Sequence, residues 1–189
     1  LDSCLTMYYD PVLWNAGQQL LGEEIKIYMN DSTIDWAHII NQALAVEMND
    51  SIHYNQVTGK EMKAFFRNGE MHQVDVDGNV LCIYYPVEEG DTTLMMMDYT
   101  ESSHLRMVLK DRKLERGAFI GHTTGVVYPM DQIPADRLRL DAFAWFDYVR
   151  PRSKEDIFEW RGKGADAVLR KSDRKPIGSA RDLNIKRKK

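Results

Sequence analysis

The residues of this chain able to do chemistry are five histidines, two cysteines and some closely spaced carboxylates. His38, His53, His72, His104 and His122 fit no His-x-Glu, His-x₃-His or His-Glu-x-x-His spacing, the patterns that bring imidazoles onto a metal ion. They read as ordinary polar side chains. Asp75-Val-Asp77-Gly78-Asn79 opens like a calcium loop, but it lacks the third acidic position and the distal glutamate such a loop needs. Asp77-Gly78 reads instead as a hairpin turn. Glu23-Glu24 could form an acid/base pair, yet the position matching it in a second copy of the segment is Lys60-Glu61, which argues against a catalytic dyad. Two cysteines, Cys4 and Cys82, are too few for a zinc module or a disulfide-stapled miniprotein. A single disulfide between them stays open. Cys82 sits in the apolar run Val80–Tyr85 and reads as a buried hydrophobe. No Gly-x-Ser-x-Gly, P-loop or dinucleotide fingerprint occurs, and Gly162-Lys-Gly164 is too short to count. The expectation is a protein with no catalytic residue, no metal and no cofactor.

The composition agrees with a folded chain. Of 189 residues, 43 % are apolar and 29 % charged, enough for one ordinary domain, with or without an appendage. No run of apolar residues is long enough for a membrane-spanning helix. The net charge of −4 hides an asymmetry. Residues 1–149 carry 11 Lys and Arg against 23 Asp and Glu, and residues 150–189 carry 14 against 6. So acidic a body argues against nucleic-acid binding as its main business. The basic end, with Lys171, Arg174, Lys175, Arg181 and Lys186 to Lys189, could be a solvated tail, rest on an anionic lipid surface or bind nucleic acid. No aromatic residue follows Trp160 to stack on bases. The chain opens Leu1-Asp2-Ser3-Cys4, and Leu1 reads as a boundary left by processing or cutting.

An internal repeat supplies the elements. Gly22-Glu-Glu-Ile25-Lys26-Ile27-Tyr28-Met29 through Ile34 aligns with Gly59-Lys-Glu-Met62-Lys63-Ala64-Phe65-Phe66 through Met71 at an offset of 37 residues. A looser third copy, Leu105 to Leu114, follows at an offset of 43. Each copy alternates apolar and polar residues with period two, the signature of a half-buried strand. Each then has a turn signal: Asn30-Asp31, Asn68-Gly69 and Asp111-Arg112. Return strands are expected over Ile34 to Ile40 and Met71 to Val76, with a further strand from Val80 to Tyr85. One such hairpin cannot bury its apolar side alone, whereas stacked copies share an interior. The fold expected is all-β: tandem antiparallel hairpins in two facing sheets, folded like a V or a jelly roll. An ordinary β-sandwich with a coincidental repeat is the alternative. Ile25, Ile27, Met29, Ile34, Met62, Phe66, Met71, Leu105, Met107, Leu109 and Leu114 should face inward. Lys26, Lys63, Arg67, Arg106 and Lys110 should form the outer, solvated face.

The back third breaks this pattern. After Tyr128-Pro-Met-Asp-Gln-Ile-Pro134, residues 136–149 are rich in aromatics, and a short amphipathic piece, Ser153 to Trp160, could start a helix at Ser153. We divide the chain into a β-repeat domain (1–127), an aromatic-rich, mixed helical and irregular cap (128–160) and a basic, loosely ordered tail (161–189). A cap suits an open stack, whose exposed edge would otherwise invite uncontrolled pairing.

Tyr9-Asp10-Pro11-Val12-Leu13-Trp14, then Gln19-Leu-Leu-Gly22-Glu-Glu-Ile25-Lys-Ile-Tyr28, resembles the OstA-like family. So do Asn55-Gln-Val-Thr-Gly59-Lys-Glu-Met62 through Asn79, and Glu101 through Glu115. The family includes the periplasmic lipopolysaccharide-transport proteins LptA and LptC and the N-terminal domain of LptD. The resemblance covers roughly residues 6–120, and the segment beyond Tyr128 is similar to that of the longer Bacteroides-type members. It implies a β-taco, or β-jelly roll: a V-shaped trough of antiparallel strands. It also implies a non-enzymatic carrier of lipopolysaccharide in outer-membrane assembly, located in the periplasm, with lipid A acyl chains against the eleven inward residues named above. The implied partners are lipopolysaccharide, other Lpt-type envelope proteins joined through edge strands such as Thr6 to Tyr9, and further copies head to tail. The alternative is a β-repeat scaffold that pairs with partners through its edges and binds no lipid.

Overall fold

The computed structural model describes residues 3–158 except 16, 32, 88–92 and 112. Ten antiparallel strands form one open sheet: β1 (Ser3–Tyr8), β2 (Val12–Asn15), β3 (Gln18–Leu21), β4 (Glu24–Asn30), β5 (Thr33–Met48), β6 (Tyr54–Arg67), β7 (Glu70–Tyr84), β8 (Met96–Lys110), β9 (Lys113–Ile120) and β10 (Thr124–Pro129). The all-β, antiparallel expectation holds. The basic tail (161–189) and Trp160 lie outside the described residues.

The long strands bend midway, which the sequence reading missed. The segment expected as Ile34–Ile40 continues through Met48, and the two strands expected on either side of Asp77-Gly78 are one, β7. Asp77-Gly78 is therefore no hairpin turn. Gly78 (φ 83°) and Asn79 (φ 50°) oppose the single residue Ser103, a β-bulge that kinks β7 within its ladder. Asn41 (φ 55°) and Gln42 (φ 48°) likewise oppose Lys60 where β5 bends. Turn-type residues have been used to make a corner.

These corners line up across the sheet and crease it into two halves. Half A runs β1, β4, the first part of β5, the second part of β6, the first part of β7, the second part of β8, then β9. Half B runs β2, β3 and the remaining parts of β5 to β8, then β10. Gly22 and Gly59, the repeat's aligned glycines, both sit on the crease. A Cβ on Gly59 would come within 2.5 Å of Val76 Cγ1, and one on Gly22 within 2.5 Å of Ile39 Cγ2. The sheet can fold this sharply only where no side chain intervenes.

The tips of half A share one plan. Met29 pairs with Ile34, Phe66 with Met71 and Leu109 with Leu114, each pair next to a tight turn and a register shift. Asn68 (φ 53°) and Gly69 (φ 78°) both adopt the left-handed conformation that Asn-Gly signals. β4 runs through Asn30, so the first turn begins at Asp31, one residue later than expected.

Inner faces of both halves pool into one apolar cluster, with Ile25, Ile39, Met62, Val76 and Leu105 from half A and Val57, Val80 and Cys82 from half B. Half B is also apolar outside. Leu21, Leu44, Val46, Ile83, Tyr85 and Met97 are buried there beneath residues 130–149. This strap contains 3-10 turns at Met130–Gln132, Ala135–Arg137 and Asp147–Val149, and a fourth follows at Glu155–Phe158. No α-helix forms among the described residues, and Ser153 Oγ accepts from the Asp156 N–H at the last turn. The strap lies flat across the outer face of half B, and two buried glutamines hold it. Gln56 donates to the Leu138 carbonyl and accepts from the Leu140 N–H, both at 2.9 Å. Gln19 does the same with Ala144 (2.8 Å) and Phe146 (2.7 Å). Tyr54 packs edge-on against Phe143 and Trp145, with Arg139 over its ring at 4.5 Å.

Candidate functional site: an apolar trough with a polar rim

Period-two alternation places every second residue of half A on the inner side, and the crease brings half B's inner residues opposite them. Between the halves lies a cavity of about 160 Å³, against the roughly 10–15 Å³ that one water needs. Leu20, Ala45, Val57, Cys82 and Tyr84 line it from half B. Met62, Ala64, Met71, Val74, Leu105, Met107, Leu109, Leu114, Gly117 and Phe119 line it from half A. A second space of about 260 Å³ shares Gln18, Glu47, Met71 and Leu109 with the first and adds Asn15, Gly69 and Glu70. The apolar floor therefore ends in a polar rim.

Of the inward residues named from the sequence, Met62, Met71, Leu105, Met107, Leu109 and Leu114 line the cavity. Ile25, Ile27 and Phe66 belong to the packed cluster without lining it. Met29 and Ile34 lie at a hairpin tip outside both, and Ile34 is 37 % exposed. Half B's lining was missed. It lies outside the stretches aligned above, and Ala43–Val46 and Val80–Tyr85 read as continuous apolar runs.

The rim is built on Glu47. Gln18 Nε2 donates to one of its oxygens and Asn55 Nδ2 to the other, each at 3.1 Å. Burial raises the Tyr84 hydroxyl's pKa, and the nearby Glu47 charge adds to that. Burial also pushes the Cys82 thiol up to about 12, with Asp98 contributing. Cys4 is exposed and Cys82 buried, and both are free thiols, so the disulfide left open above does not form. One thiol per native chain should react with Ellman's reagent at pH 8 and two after denaturation. Two fast thiols in the native state would mean that Cys82 is open to water.

The outer face of half A carries the cations. Arg106 forks onto Asp75 (2.7 and 2.9 Å), and Lys26 pairs with Glu24 (3.0 Å). For Asp75, burial favours the neutral acid, but the Arg106 guanidinium and the Gln73 amide outweigh it and hold the carboxyl below its ordinary value. Asp77 contacts His104 at 2.5 Å, so both acids of the calcium-like stretch are engaged across to β8. Glu23 accepts from Gln42 (2.8 Å), and the Glu23-Glu24 pair is thus absorbed into the crease and a surface ion pair. Tyr28 stacks on Trp36 at 4.1 Å and Trp36 on Phe65 at 6.3 Å, an aromatic row on the same face. No group of His, Cys, Asp and Glu suited to a metal ion occurs among the described residues. Nor is any helix among them long and apolar enough to cross a membrane. Compared with protein-family models, curated proteins and solved structures, the chain matches none.

Proposed function

We propose that the protein shelters the acyl chains of an amphiphile between its two half-sheets. In this reading it is a non-enzymatic carrier or bridge for lipopolysaccharide, working in the periplasm during outer-membrane assembly. The observation that carries it is the cavity: an open sheet creased onto itself leaves an apolar space bordered by a polar rim. A fully packed sandwich core would leave only voids near the size of a water. Each methylene moved from water into such a lining contributes about 0.8 kcal/mol. Methionines at positions 62, 71 and 107 suit a mobile occupant, because a thioether adapts its rotamers to what it touches. The carrier role and its compartment rest on the OstA-like resemblance of the repeat.

The scaffold reading draws on the β1 edge, where Leu5 is 50 % and Tyr8 60 % exposed. A strand of this kind could extend a partner's sheet by main-chain hydrogen bonds. Under either reading the edges could also join copies head to tail.

Displacement of the apolar fluorophore N-phenyl-1-naphthylamine separates the two. Intact lipopolysaccharide should displace it, and the deacylated form, with the same sugars and phosphates, should not. Failure of the fluorophore to bind, or equal displacement by both forms, would count against acyl-chain shelter and favour the scaffold.

A further inference from the structure

The rim is charged on one side only. Glu47 borders both spaces beside Gln18, and Asp98 lines the apolar cavity. Among the described residues, no lysine or arginine lines either space. Glu47 is aimed by two neutral amides, which fix its direction and leave its charge uncancelled. Asp98 accepts a neutral contact from the Thr100 hydroxyl (2.8 Å). The described cations lie elsewhere. Lys110 alternates with Leu109 and so points to the opposite face, Arg67 and its register partner Glu70 share that face as neighbours of Phe66 and Met71, and Arg106 and Lys26 are paired there. A phosphate head placed at this rim would meet carboxylates and, among the described residues, no cation.

We propose that the trough takes an amphiphile whose head bears an ammonium group, with its chain along the apolar cavity and its nitrogen beside Glu47. This rests on the acyl-chain reading above and adds the chemistry of the head. An ammonium donates three hydrogen bonds and brings the positive charge that the rim lacks. The rim lies against an apolar wall of low polarisability, where charge pairing is stronger than on an open surface. For a lipopolysaccharide, the requirement becomes an amine-bearing head at this point.

The test uses three amphiphiles with the same twelve-carbon chain, each below its micellar concentration: dodecylammonium, dodecyl maltoside and dodecyl phosphate. Each displaces N-phenyl-1-naphthylamine from the whole protein at pH 7.5. Dodecylammonium should displace the fluorophore at a concentration at least tenfold below that of dodecyl phosphate and below that of the maltoside. Raising the salt from low to about 0.5 M should narrow that gap, since rim charges are partly exposed to screening. Glu47→Gln should abolish the preference while all three still displace. A phosphate or maltoside that displaces as well as the ammonium overturns the head-group inference and leaves the trough reading standing. If none of the three displaces a bound fluorophore, the trough reading falls as well.

Discussion

Gln56→Ala should lower the melting temperature by roughly 5–15 °C. Gln56 is fully buried, and its amide bonds both the Leu138 carbonyl and the Leu140 N–H. Truncation strands these two groups under the strap, at about 1–3 kcal/mol each. In a chain of this size each kcal/mol moves the midpoint by about 2–4 °C. Gln56→Glu would bury a carboxylate against the Leu138 carbonyl, so at neutral pH it should destabilise at least as much as Ala. Gln19 stands 37 residues earlier and bonds Ala144 and Phe146 the same way, so Gln19→Ala should act similarly. Thermal unfolding followed by circular dichroism reads the shift, and limited proteolysis should show new cuts within 130–149. An unchanged midpoint for both variants would mean that the strap is not held by these amides.

Gly117→Phe should weaken binding of an acyl chain by about ten- to a hundredfold without weakening the fold. Gly117 pairs with Met107 on the inner side of β9 and lines the cavity, yet a Cβ there meets nothing within 4 Å. A phenyl ring would occupy space that the chain uses. Loss of two to four methylenes of contact, at about 0.8 kcal/mol each, gives an effect of that size. Replacing a strand glycine should by itself add stability, about 0.5–1 kcal/mol on the Gly-to-Ala scale. Binding and stability should therefore move in opposite directions. Titration of dodecyl maltoside into both proteins, alongside urea unfolding, checks the pair of effects. Equal affinity would mean that the chain does not reach this wall. Lower stability would mean that the space is not free.

Half A was legible in the sequence because its two faces differ. Lys26, Lys63 and Arg106 face water where Ile25, Met62 and Leu105 face the interior, so alternation survives in the chain. Half B hid because both its faces are covered. In Ala43-Leu44-Ala45-Val46 the alanines face the trough and Leu44 and Val46 face the strap, and a continuous apolar run carries no sign of which side is which. The creases were legible only as turns. Gly78 and Asn79 have the residue types of a hairpin, and only the ladder continuing from Asp77 to Val80 on β7, opposite one residue of β8, shows a bulge. Gly22 and Gly59 were visible as an aligned pair, while their cause, the contacts with Ile39 and Val76, is a matter of space. The same holds for the site. Met107 could be assigned to the inner face from its own strand, but Cys82 and Val57 line the opposite wall only because the sheet folds. Glu47 gave no local signal at all. Its role at the rim depends on Gln18 and Asn55, from two neighbouring strands.

The neighbouring residues Phe65 and Phe66 give the most direct test of the central claim. They sit on one strand and face opposite ways: Phe65 stacks near Trp36 on the outer side, and Phe66 packs into the inner cluster opposite Met71, which lines the cavity, so a side chain longer than phenylalanine reaches that space. A photoreactive benzophenone side chain placed at either position can be irradiated in the presence of lipopolysaccharide. The account predicts an adduct from position 66 and none from position 65. An adduct from position 65 alone, or equal yields from both, would contradict an acyl-chain site between the half-sheets.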